Sequence, residues 1–140
     1  MDEIILLLVD PEEQVRTAGT IFIPHALQKV GMKCTVIAAN SLSQARGVLG
    51  TIIPDVVLSS ILLNATGTEN AGDVLAILDG SEKYRSVRFA IMSTAMTNIH
   101  LSPTLEKVGH RLAKPFTAKE VGELFVRLLA DNGPRRNVSP

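Results

Sequence analysis

The sequence predicts a single α/β domain: an open, doubly wound, five-stranded parallel sheet with helices on both faces. Three observations carry this. Short apolar runs alternate with helical patterns five times, at intervals of roughly 20–25 residues. The first run is apolar throughout rather than alternating with polar residues, as a strand buried on both faces requires. The chain is 140 residues long with 46% hydrophobic residues, enough for one core and too short for two on the usual domain size.

The first strand, β1, spans residues 4–9 and ends at Asp10-Pro11. Residues 12–30 place Val15, Ala18, Phe22, Ala26 and Val30 at steps of three and four, one face of a helix α1 that Gly31 stops. Pro24 lies inside that pattern without an N–H to donate, so a kink or a split is expected, with Pro24 opening the second piece. Residues 33–38 carry Thr35, Val36 and Ile37 and form β2. Ser41-Leu42-Ser43-Gln44 has the spacing of a capping box and opens α2, which runs to about Gly50.

Pro54-Asp55 introduces β3 at residues 56–58, closed by Ser59-Ser60. Residues 64–72, rich in Asn, Thr and Gly, are a loop, and α3 takes 73–78 before Asp79-Gly80-Ser81 ends it. Residues 89–92 form β4, ended by Ser93-Thr94. Ser102-Pro103 pairs an N-cap with a proline at the first helical position of a short α4. Residues 111–113 make a brief β5, and Lys114-Pro115-Phe116 leads into the capping box Thr117-Ala118-Lys119-Glu120. Phe116 and Val121 form its hydrophobic staple, and α5 buries Val121, Leu124, Phe125, Leu128 and Leu129. Residues 1–131 are thus one domain, and 132–140, beginning Asn132-Gly133-Pro134, are a solvated tail or linker.

Composition excludes several functions. Fourteen basic and fourteen acidic residues give a net charge of +0, so the basic footprint of a nucleic-acid binder is absent. One cysteine, Cys34, rules out an internal disulfide and a cysteine metal cage. It reads as a buried small hydrophobe rather than a reactive thiol. The run at 4–9 has no basic residues before it and is far shorter than the roughly 20 residues of a membrane span; a cytoplasmic protein with no membrane contact is expected. His25, His100 and His110 are scattered over different elements without metal or triad spacing and are assigned no chemistry. No glycine cluster follows a strand as nucleotide binding requires.

In an open parallel sheet the functional crevice lies beyond the carboxyl ends of the strands. The residues there are Asp10, Ser59 and Ser60, Ser93 and Thr94, and Lys114. Their order and spacing resemble the receiver domain of two-component response regulators, over residues 4–130. The family's β1 ends in two acids that hold Mg²⁺; Val9-Asp10-Pro11 matches the first and has Pro11 in place of the second. Pro54-Asp55-Val56-Val57-Leu58-Ser59-Ser60-Ile61 is similar to the family's Pro-Asp-x-x-x-x-Asp-Ile, with Ser60 where the phosphorylated aspartate stands and Asp55 at the other end of the strand. Ile91-Met92-Ser93-Thr94-Ala95 resembles β4, with Thr94 at the hydroxyl position. Lys114-Pro115-Phe116 matches unchanged, in the family usually with a cis Lys-Pro peptide, and the aromatic switch position falls on Arg111. α1 and the β3–α3 loop are each about four residues longer than the family's, and the β4–β5 segment is slightly shorter, surface changes that cost little.

The resemblance implies a flavodoxin-like sheet of strand order 2-1-3-4-5, and charge then decides the chemistry. Phosphoryl transfer onto a carboxylate needs a divalent cation to offset clustered negative charge. Asp10, with Glu12 nearby, is a poor Mg²⁺ donor set, and Ser60 is a neutral hydroxyl. The expectation is a pseudo-receiver: no catalytic residues, no resident metal or cofactor, and a degenerate pocket of Asp10, Pro11, Glu12, Ser60, Thr94 and Lys114. With the pocket lacking an acyl phosphate, Lys114 is expected to pair directly with Asp10. The implied mode of action is protein contact, with a kinase, an output domain or a second copy in a homodimer, through the face made by α4, β5 and α5. The alternatives are a conventional phosphorelay receiver and a small α/β hydrolase using Ser60, which lacks Gly-x-Ser-x-Gly and a placed histidine.

Overall fold

The computed structural model describes residues 3–94 and 103–131. Five strands form one parallel sheet in the order β2-β1-β3-β4-β5, as the resemblance implied. The strands are β1 Ile4–Val9, β2 Cys34–Ala39, β3 Val56–Ser60, β4 Arg88–Ser93 and β5 Arg111–Ala113. The helices are α1 Glu13–Gln28, α2 Leu42–Leu49, α3 Ala71–Asp79, α4 Pro103–Glu106 and α5 Ala118–Ala130, with one 3₁₀ turn at Glu82–Tyr84. No described helix is long and apolar enough to cross a membrane.

Alternation along the central strands splits the core into two layers. Leu7, Val9, Val57, Phe89 and Ile91 pack under α2, α3 and α4. Leu6, Leu8, Leu58, Ala90 and Met92 face α1 and α5. Each fully buried aliphatic contributes about 1.5–3 kcal/mol, so the helices are held chiefly by these layers.

Several local expectations change. α1 is one helix with Pro24 inside it rather than two pieces. The carbonyl that Pro24 leaves without an N–H belongs to Thr20, an exposed residue, so water is in reach and the interruption is tolerated. Its buried stripe is Gly19, Ile23, Ala26 and Leu27, rotated from the expected face; of the residues named for that face only Ala26 is buried, and Val30 is 47% exposed. Gly19 sets this rotation: a Cβ there would stand 2.6 Å from Leu8 Cδ2, so the helix approaches β1 at a residue without a side chain.

Ser59 and Ser60 belong to β3, paired with Ile91 and Met92, rather than following it. α3 begins at Ala71, earlier than expected, because Asn70 and Asp73 form a reciprocal cap. The capping box expected at Thr117 is reciprocal, while at Ser41 only half of it forms: Ser41 accepts from the Gln44 N–H, but Gln44 Oε1 accepts from the Asn40 N–H. Pro103 opens α4 as expected, while Ala95, His100, Ser102 and the segment 132–140 lie outside the described residues. The 3₁₀ turn was not anticipated; it seats Tyr84, whose hydroxyl donates to the buried Leu49 carbonyl at 2.7 Å.

Candidate functional site

The chain leaves the sheet at the carboxyl end of every strand, so Asp10, Ser60, Thr94 and Lys114 are brought to one rim by parallel topology alone. Pro11, Glu12, Ser60, Thr94 and Lys114 border a cavity of about 360 Å³ together with Leu62, Asn64, Ala65 and Met92. Asp10 lies beneath it, fully buried.

Asp10 is the hub. Its N–H donates to the Ala39 carbonyl at 3.0 Å, which fixes the residue against the end of β2. Oδ1 accepts from the Glu12 N–H at 2.9 Å, and Oδ2 accepts from Lys114 Nζ at 2.7 Å. The Asp10 carbonyl accepts from Arg16 Nη1 at 2.8 Å. Lys114 Nζ also donates to Ser60 Oγ at 3.1 Å. The Asp10–Lys114 pair expected from the sequence is therefore direct, and it is shut in: the two side chains are 0% and 13% exposed. A buried carboxylate without such a partner is costly; here both oxygens are engaged. Lys114 is placed by its own N–H, which donates to the Ser93 carbonyl at 2.8 Å, and by the cis peptide to Pro115, the isomer the resemblance implied.

This donor set does not suit Mg²⁺, which demands near-octahedral oxygen ligation from carboxylates, water and substrate phosphate. The one buried carboxylate already binds an ammonium and an N–H, Pro11 offers no side-chain oxygen, and Glu12 is exposed on the lip as the residue preceding α1. No cluster of three potential metal ligands occurs among the described residues. Among the described residues Ser60 has no base to activate it either. Lys114 donates to its hydroxyl while bound to Asp10, and an ammonium so placed cannot take a proton. His110 precedes β5, where its carbonyl accepts from the Ile91 N–H at 3.1 Å and its Nε2 lies 2.9 Å from Asp131 Oδ2. His25 sits in the last turn of α1, remote from the mouth.

The other sequence candidates lie elsewhere. Asp55 is at the amino end of β3, where its Oδ2 accepts from the Ile5 N–H at 2.7 Å and its own N–H donates to the Ile5 carbonyl, a clamp between β1 and β3. Arg111 stands at the start of β5, away from the mouth. Cys34 is buried; burial first, then the charges of Glu3 and Asp55, push its thiol up to about 11. The thiolate is the nucleophile, so the native chain should react with iodoacetamide at pH 7.5 about 100-fold more slowly than the unfolded chain, with the rate rising as pH climbs toward that value. Equal rates, followed by intact mass, would place the thiol at the surface.

Sequence reasoning missed Arg16, at the end of the first turn of α1, and a mostly apolar groove beside the mouth. This groove, of about 490 Å³, is lined by Val15, Ala18, Phe22, Pro115 and Phe116 among others. Phe22 and Phe116 meet across it with ring centroids 6.0 Å apart. The signal was present: Val15, Ala18 and Phe22 repeat at helical spacing, but were read as core instead of flank.

No protein-family model matches the chain, and no curated protein does. Solved structures do. The chemotaxis response regulator CheY4 of Vibrio cholerae matches with a TM-score of 0.66 and 18% identity, over 91% of this chain and 99% of that one. The signal receiver domain of an HD domain-containing protein from Pseudomonas fluorescens matches at 0.67 and 18%, over 92% and 96%. A response regulator receiver domain protein from Clostridium thermocellum matches at 0.65 and 17%, over 91% and 94%. The chain has the receiver fold across nearly its whole length.

Proposed function

We propose that this chain, built on the receiver fold, is a pseudo-receiver: a cytoplasmic signalling module that acts by protein contact and neither accepts phosphate nor catalyses a reaction. One observation carries the reading. The lysine that would steady a phosphoryl group is instead bound to Asp10 and to the Ser60 hydroxyl; the sequence resemblance, which aligns Ser60 with the acceptor carboxylate, supports the same reading. A serine ester of phosphate would also lack the lability that lets an acyl phosphate turn over. The working surface is the α4–β5–α5 face, and its partner is a kinase, an output domain or a second copy.

A conventional phosphorelay receiver is the second reading, favoured by the positions of Thr94 and Lys114 and by the receivers among the similar structures. Acetyl phosphate with Mg²⁺ separates the two. The expected result is an unchanged intact mass and no binding of beryllofluoride; a stoichiometric gain of one phosphoryl group overturns the proposal.

A further inference from the structure

We propose that Arg111 is a lock that fastens α4 to β5 and so fixes the α4–β5–α5 face in one conformation. The inference rests on the reading above in taking that face as the working surface, and adds how the face is regulated.

The described part of α4 has four residues, too few to hold a helix by their own hydrogen bonds. Among the described residues, two things secure it. Leu105 and Val108 are buried in the layer beneath α2 and α3. The Arg111 guanidinium then gathers the carbonyls at the helix end: Nη2 donates to Glu106 O at 3.0 Å and to Leu105 O at 3.4 Å, and Nε donates to Val108 O at 3.3 Å. The Leu105 carbonyl already accepts from the Val108 N–H at 3.1 Å, so Arg111 adds a second donor there and supplies one each to the Glu106 and Val108 carbonyls, a planar fork of donors being able to serve several at once. A ring at this position could not, since a tyrosine offers one O–H at its tip and a phenylalanine none.

The lock acts on both sides of a very short strand. β5 is Arg111–Ala113, with buried Leu112 between two exposed residues. Arg111 ties its start to α4, and Lys114, the next residue after its end, is tied to Asp10 and Ser60. Coupling between a pocket and a distant face requires an element with two arrangements. Here the element is fastened at both ends, and the side chain at the switch position is spent on backbone carbonyls.

Hydrogen exchange read by mass spectrometry on the full chain tests this, comparing the parent with Arg111→Ala and Arg111→Lys. In Arg111→Ala the amides of 105–111 should exchange about tenfold faster while those of β1 keep their rates, and Arg111→Lys should recover only part of the protection. Unchanged rates in 105–111 overturn the lock. A uniform acceleration that includes β1 also overturns it, because Arg111 would then be a general stabiliser. Neither outcome depends on phosphate uptake, so failure of the lock and failure of the pseudo-receiver reading remain distinguishable.

Discussion

Lys114→Met should lower the stability of the chain by about 3–5 kcal/mol, a fall in Tm of roughly 10–20 °C. The reason is what it leaves behind. Asp10 has no exposed surface, and of the contacts its carboxylate makes to described residues only the Glu12 N–H would remain. Asp10→Asn should cost less, about 1–2 kcal/mol, because the Lys114 side chain retains some access to water and a long stem can carry its charge outward. The asymmetry is the signature of a fully buried acid served by a base that keeps a small opening to water. Should Lys114→Met fail to fold, the double variant Asp10→Asn/Lys114→Met keeps the question open to measurement. Removing both charges should restore most of the loss, since a buried pair is seldom better than neutral groups of similar size. Urea melts of the four proteins give the coupling directly. A Lys114→Met variant as stable as the parent would mean that water reaches Asp10.

The second large effect is a gain. Pro11→Asp/Ser60→Asp should take up one phosphoryl group from acetyl phosphate when Mg²⁺ is present and none when it is absent. The two substitutions put three carboxylates at the rim with Asp10, enough to recruit a hard divalent cation and to compete with Asp10 for Lys114. Clustered acids repel one another without a cation, so the double variant should melt below the parent in chelator. It should gain stability with Mg²⁺ in proportion to RT ln(1 + [Mg²⁺]/Kd). Ser60→Asp alone should respond weakly, having two carboxylates instead of three. Intact mass and thermal melts with and without Mg²⁺ read both effects. A double variant that binds Mg²⁺ but takes no phosphate would show that the deficit lies in the rest of the rim, with the Glu12 lip or Thr94.

The site was legible to the extent that its residues stand at strand ends. Asp10 follows an apolar run and Lys114 a brief strand pattern, so a parallel sheet must bring them to the same rim even though 104 positions separate them in the chain. Their opposite charges made the pair foreseeable. Arg16 was not legible, because an arginine on a helix beside a carbonyl has no mark in the sequence. The role of Arg111 was legible only in the negative, as a missing ring; its bonds to three carbonyls depend on where α4 ends.

Sequence by itself determined the class of sheet, the sites of capping at Ser41 and Thr117, and the uncharged hydroxyls of Ser59 and Ser60 at the end of β3, since each follows from period, spacing or residue type within a few positions. Tertiary packing decided the rest. Gly19 and Leu8 are eleven residues apart, yet their close approach chose which face of α1 is buried and turned Val15, Ala18 and Phe22 into the wall of a groove. Local pattern offers two candidate stripes on that helix, and only contact with a neighbouring strand can select between them.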